Sequence, residues 1–312
     1  MIRFFNPPKS SSEFLKIATL AWFVVQLASA PLPARADEPD PRWNLYGWTP
    51  SLSFTLGVHV APVSGFVNAT NSSGANIRMP EESDNVAITP IMHMSFGIET
   101  PELPKLPGHL RLFGSADYFV AFPPDLEIAT EGSPTGFFVP PGFINPPEAA
   151  IEGQGSQTTM RMNRSAYGLT GGVSIPIDIG DFRFYVKPGV SWMRQEWDIQ
   201  GVVLDAEKSA FVGSRNFRGI ELRARGKLYS SGVGPYLAIE MEPDSWGPVF
   251  VSAYIEAAYY RTLGERDVDF TASRTLSGDN LPTETYLARW GITVDKEFWR
   301  TGVGIRVFLA AD

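Results

Sequence analysis

Eight stretches of the chain alternate apolar and polar residues with a period of two, and long helical periodicity is absent. They span residues 51–60, 88–100, 110–122, 167–178, 182–192, 229–242, 249–260 and 299–309. A period of two puts successive side chains on opposite faces of a strand. Three of these stretches begin alike, with an aromatic residue followed by glycines: Tyr167-Gly-Leu-Thr-Gly-Gly, Tyr229-Ser-Ser-Gly-Val-Gly and Trp299-Arg-Thr-Gly-Val-Gly. In the last, one face carries Trp299, Thr301, Val303, Ile305, Val307 and Leu309, and the other carries Arg300, Gly302, Gly304, Arg306 and Phe308. A soluble sandwich needs a core opposite each such face. A barrel in a bilayer needs only lipid there. The pattern therefore predicts an all-β fold, a closed antiparallel transmembrane β-barrel of about eight strands, with a soluble β-sandwich as the rival architecture.

Connections of two lengths separate the strands. The short ones are 101–109, 179–181 and 243–248, and the long ones are 61–87, 123–166, 193–228 and 261–298. In barrels of this kind short turns are periplasmic and long loops extracellular, and an even strand count returns both ends to the periplasm. Arg223, Arg225 and Lys227 occupy the phase that further along faces lipid. Charge at mid-membrane is costly, so this strand must continue past the bilayer. The same phasing points Glu99, Arg111, Asp117, Arg183, Lys187, Glu240, Glu256, Arg300 and Arg306 inward, together with His59, His93 and Ser95. Side chains just fill the interior of an eight-stranded barrel, so the mixed charges are expected to form a salt-bridged plug. The alternative is a narrow gated pore.

Composition narrows the setting. Residues 1–36 read as a secretory leader: Arg3, Lys9 and Lys16 form a basic start, an apolar stretch follows, and Ala34-Arg35-Ala36 is a small-x-small cleavage site. The barrel domain is then expected over residues 37–312. No run in that part is apolar enough for a membrane-spanning helix. The net charge of −8 argues against nucleic acid as a partner, and the absence of cysteine removes disulfide and thiol chemistry. The 29 glycines and 26 prolines suit many turns.

The glycine-bearing strands and the terminal Gly302-Val-Gly-Ile-Arg-Val-Phe-Leu309 resemble the small eight-stranded outer-membrane β-barrels of the OmpA/OmpX/OmpW-like superfamily. The resemblance covers roughly residues 43–310 as a pattern. It implies the outer membrane of a Gram-negative bacterium, with outer-membrane lipid, lipopolysaccharide and the barrel assembly machinery as partners. An OmpW-like relation also leaves open a narrow channel for small or apolar solutes.

Chemistry is sparse. His93-Met-Ser95 with Glu99 is the one candidate for catalysis, since an imidazole within hydrogen-bond reach of a hydroxyl can act as its general base. The pair points inward, and a solvated interior histidine is the default reading, with a lipid-modifying enzyme as the rival. The loop 123–166 carries Phe137, Phe138, Phe143 and Ile144, which either contact a partner or fold over the barrel mouth. No metal cluster, phosphate loop or nucleotide motif is evident, and no cofactor is expected. The expectation is a non-enzymatic scaffold presenting extracellular loops.

Overall fold

The β-branched and aromatic residues that dominate the alternating stretches favour extended backbone, and an extended backbone must find its hydrogen bonds on neighbouring strands. The computed structural model describes residues 47–72, 76–103, 109–123, 126–132, 154–180, 182–212, 216–278 and 281–309. The leader 1–36 and Phe137, Phe138, Phe143 and Ile144 lie outside the described residues. The elements are β1 (Thr49–Asn71), β2 (Asn76–Glu99), β3 (Arg111–Ala121), β4 (Leu126–Gly132), β5 (Gln154–Met162), β6 (Ser165–Ile179), β7 (Phe182–Val212), β8 (Asn216–Met241), β9 (Asp244–Trp246), β10 (Val249–Leu263), β11 (Asp267–Gly278), β12 (Leu281–Val294) and β13 (Glu297–Leu309).

Eight of them close a ring in the order β1, β2, β3, β6, β7, β8, β10, β13. The seam joins the first strand to the last, with Ser51 opposite Phe308 and Val60 opposite Trp299. Every pairing is antiparallel. The ring has no free edge, which rules out the sandwich.

Four strands of the ring, β1, β2, β7 and β8, run far past the length a bilayer requires. β1 has 23 residues and β7 has 31, whereas a membrane-crossing strand needs about 9–11. The connections expected as long loops at 61–87, 123–166, 193–228 and 261–298 are therefore corrected: their described residues are mostly paired β-strand. Above the ring, β12 takes over from β13 along β1, β5 takes over from β6 along β7, and β4 and β11 pair with β5 and β12. The result is a second tier stacked on the first.

The two tiers have opposite polarity on the same strands. On β1, Leu52, Phe54 and Leu56 are exposed outside while Ser51, Ser53, Thr55 and His59 are buried inside. Past Val60 the inward positions become Ala61, Val63, Val67 and Ala69, all buried, and the outward ones become Ser64, Asn68 and Thr70. β8 repeats the change, with Ile239 and Met241 outside below but Arg223, Arg225 and Lys227 outside above. On β7, Phe182 and Val190 give way to Arg194 outside, while Lys187 and Ser191 give way to Trp197, Ile199 and Val203 inside. The lower tier has the exterior of a protein in lipid, and the upper tier has that of one in water. Tyr118, Tyr167 and Tyr229 are exposed where the two meet, and Phe182 and Trp246 mark the other rim, as aromatic girdles do.

The upper core rests on flat ring contacts. Trp290 stacks on Phe270 with centroids 5.4 Å apart and planes 8° apart. Gly201 lies against the same indole, where a Cβ would come within 2.4 Å of it. This close approach is what requires glycine there.

Because the belt is lipid-facing only in the lower tier, arginine is expected to have opposite consequences in the two. Ile305→Arg, outward in mid-belt, should cost about 2–4 kcal/mol and reduce the folded fraction. Ser64→Arg, outward in the upper tier, should leave insertion unchanged. The heat-dependent shift in gel mobility after refolding into vesicles reads both. Equal insertion of the two variants would remove the boundary drawn here.

Candidate functional site

Strand alternation aims one side chain per strand into the lumen at each level, so residues far apart in sequence meet in layers. The layer nearest the short turns contains Glu99 from β2, Lys187 from β7, Glu240 from β8 and Arg306 from β13. Lys187 Nζ bonds Glu99 and lies 2.7 Å from Glu240 Oε2. Arg306 Nη1 lies 2.5 Å from the same Glu240 oxygen and 3.6 Å from Glu99. Ser252 donates to the other Glu240 oxygen at 2.6 Å. Lys187 sits 5.8 Å from the centre of the Phe113 ring, and the Arg306 guanidinium 5.1 Å from that of Tyr254. Two cations face two carboxylates, so the layer is neutral.

The next layer holds His93, Asp117, Glu256 and Arg300. Arg300 Nη1 donates to Glu256 Oε1 at 2.6 Å, and its Nε donates to Tyr260 Oη at 3.2 Å. His93 places Nε2 3.2 Å from Asp117 and Nδ1 3.2 Å from Glu256. Tyr236 donates to Glu256 at 3.0 Å, and Thr170 and Ser115 donate to Asp117 at 2.6 and 2.9 Å. Phe119 packs under both His93 and Arg300, stacked on the imidazole at 4.5 Å and 4.8 Å from the Arg300 guanidinium. With an imidazolium at His93 this layer is also neutral. Above it, His59 lies between Trp197 and Phe298, and the apolar core of the upper tier begins.

Seven of the nine inward charges thus meet in two adjoining layers: Glu99, Asp117, Lys187, Glu240, Glu256, Arg300 and Arg306, all buried. Arg111 and Arg183 do not join them. Both lie at the short-turn rim, where Arg111 pairs with Glu102 at 3.3 Å and Arg183 with Asp178 at 2.7 Å. Two readings of the His93–Ser95 pair are corrected. His93 is only 4% exposed, so it is not solvated, and the Ser95 hydroxyl bonds Ser53 while the imidazole faces carboxylates. The alternation also held a signal that charge alone did not single out. Tyr254 and Tyr260 lie in phase with Glu256, and Tyr236 in phase with Glu240.

The chain is a membrane-spanning β-barrel: a closed ring with an apolar outer belt and a polar, filled interior. It is similar, at low scores, to the outer-membrane protease OmpT of Escherichia coli, with 7% identity and a TM-score of 0.31 over 84% of this chain and 97% of that one. Ail, the attachment invasion locus protein of Yersinia pestis, gives 9% and 0.24 over 81% and 97%. A FadL homologue of Pseudomonas aeruginosa gives 7% and 0.20 over 83% and 90%. No protein-family model matches the chain, and no curated protein sequence matches it. The fold assignment rests on the ring and its belt rather than on these likenesses. The expectation of a non-enzyme is corrected on the OmpT finding, since that similar structure is a protease.

Removing one partner from a buried ion pair leaves the other charge uncompensated, at about 3–5 kcal/mol. Glu256→Ala should therefore destabilise the barrel by about that amount, whereas Arg111→Ala, at the rim, should cost at most about 1 kcal/mol. Urea unfolding of the two variants in detergent makes the comparison.

At the rim, burial raises the pKa of Glu102, but hydrogen bonds from His109 at 2.7 Å and Arg111 outweigh it, and the net shift is downward from 4.5. A carboxyl depressed by folding stabilises the fold above its unfolded pKa, and that stability is lost as pH falls through the folded value. Below pH 4.5 the wild type should lose stability more steeply than Glu102→Gln in acid titrations followed by tryptophan fluorescence. Equal slopes would show that the rim pair contributes nothing.

Proposed function

We propose that the chain is an outer-membrane β-barrel of a Gram-negative bacterium. It is exported by its leader, placed by the barrel assembly machinery and set among lipopolysaccharide, with short turns in the periplasm and the upper tier outside the cell. Its role is that of a plugged scaffold that lifts its hairpin tips clear of the membrane and presents them there. The observation that carries this reading is the filled lumen. Charged layers in the belt and an apolar core above it occupy the space a solute would need, while the long strands build a rigid pedestal. The eight-strand ring also agrees with the resemblance to the OmpA/OmpX/OmpW-like barrels.

The purified barrel in a planar bilayer is expected to show no steady conductance at either polarity. Repeated stepwise openings of the wild type would replace the scaffold with the narrow-channel reading.

A further inference from the structure

Just above the belt, the outer faces of β7, β8 and β10 carry Arg194, Arg223, Arg225, Lys227 and Arg261, all exposed. Lys227 is engaged, 2.5 Å from Glu196 and 3.6 Å from Asp198. That hydrogen bond holds the Glu196 carboxyl below its ordinary range, so this acid, two residues along from Arg194, is already matched. Arg194 and Arg261 form no ion pair among the described residues.

The sheet register brings these two together. Arg194 pairs with Ser231 on one side of β8, and Arg261 pairs with Val233 on the other. Two strand spacings of about 4.8 Å and a two-residue stagger along β8 of about 6.8 Å place their backbones about 12 Å apart. The outward residues of β8 between them are the small Ser231, opposite Arg194, and Val233, opposite Arg261, with Tyr229 next along the strand beyond Ser231. Tyr167 stands opposite Arg194 on β6, and Glu297 stands opposite Arg261 on β13. Glu297 is hydrogen-bonded to the Tyr259 hydroxyl. Toward the belt, Trp192 precedes Arg194 and Tyr259 precedes Arg261 in the same outward phase. The pair thus sits at the first polar level above the hydrocarbon, where lipid headgroups lie.

We propose that Arg194 and Arg261, with Ser231 between them, form a site for a phosphate monoester carried on the headgroup of a lipid in the leaflet around the upper tier. Two guanidinium forks offer paired N–H donors to phosphate oxygens, and the low side chain of Ser231 leaves room and adds a hydroxyl. The apolar belt below receives the acyl chains of the same lipid. The site rests on the outer-membrane reading above and names a lipid chemistry for it.

The test uses the full barrel, refolded in neutral detergent and first checked for heat-dependent mobility. Bisphosphorylated lipid A, the same lipid with its phosphates removed, and inorganic phosphate are then titrated while the thermal-unfolding midpoint is followed. The wild-type midpoint should rise with lipid A and not with either of the other two. The R194Q/R261Q double variant should keep the detergent-only midpoint but bind lipid A about thirtyfold more weakly, the factor expected for two basic groups at an anionic surface. R289Q, whose arginine is already paired with Asp269 at 2.8 Å, should bind like wild type. A double variant that binds like wild type, or a response to the dephosphorylated lipid equal to that with lipid A, overturns the site. A midpoint shift with inorganic phosphate alone overturns its assignment to lipid. A chain that fails the mobility check and stays in the aqueous phase instead overturns the outer-membrane reading, which separates the two failures.

Discussion

In lipid no water is available to satisfy a strand's backbone, so every N–H and C=O in the belt must find a partner on a neighbouring strand. This constraint makes the seam between β1 and β13 the feature on which the rest depends. Closing the ring removes both edges, and closing it with eight strands fixes a narrow lumen. A narrow lumen surrounded by lipid has to be filled by the inward half of the same strands, whose outward half is committed to the belt.

The filling is therefore polar, and polar filling in a dry interior must be balanced. Glu99, Glu240, Lys187 and Arg306 cancel in one layer, and Asp117 and Glu256 face Arg300 and the His93 imidazole in the next. Aromatic rings under the cations and hydroxyls on the carboxylates add further contacts. The exterior cations lie outside this balance: Arg194 and Arg261 are exposed on the outer face.

Above the belt the demand reverses. Once the outer face meets water, the inward face is free to be apolar, and the strands build a core of the kind soluble proteins use, around Trp290, Phe270 and Trp197. Continuous strands such as β7 and β8 carry both solutions in one register, so the rigid pairing of the membrane tier is transmitted to the outer one. That continuity supports the scaffold role proposed above.

The sequence by itself determined the strand phase, the belt and which charges point inward, because alternation with period two is a local property of each strand. It also carried the sign that β8 outruns the membrane, in Arg223, Arg225 and Lys227. Only the tertiary structure decided that the described residues of the long connections at 61–87, 123–166, 193–228 and 261–298 are mostly paired β-strand. Their inward apolar residues look like ordinary loop content until partner strands supply the core. Tertiary structure likewise separated Arg111 and Arg183 from the seven buried charges, since height in the lumen depends on register between strands and not on phase within one. It drew His93 and Tyr260 into the charged layer for the same reason. Alternation fixes the face a residue shows, and pairing fixes what it meets there.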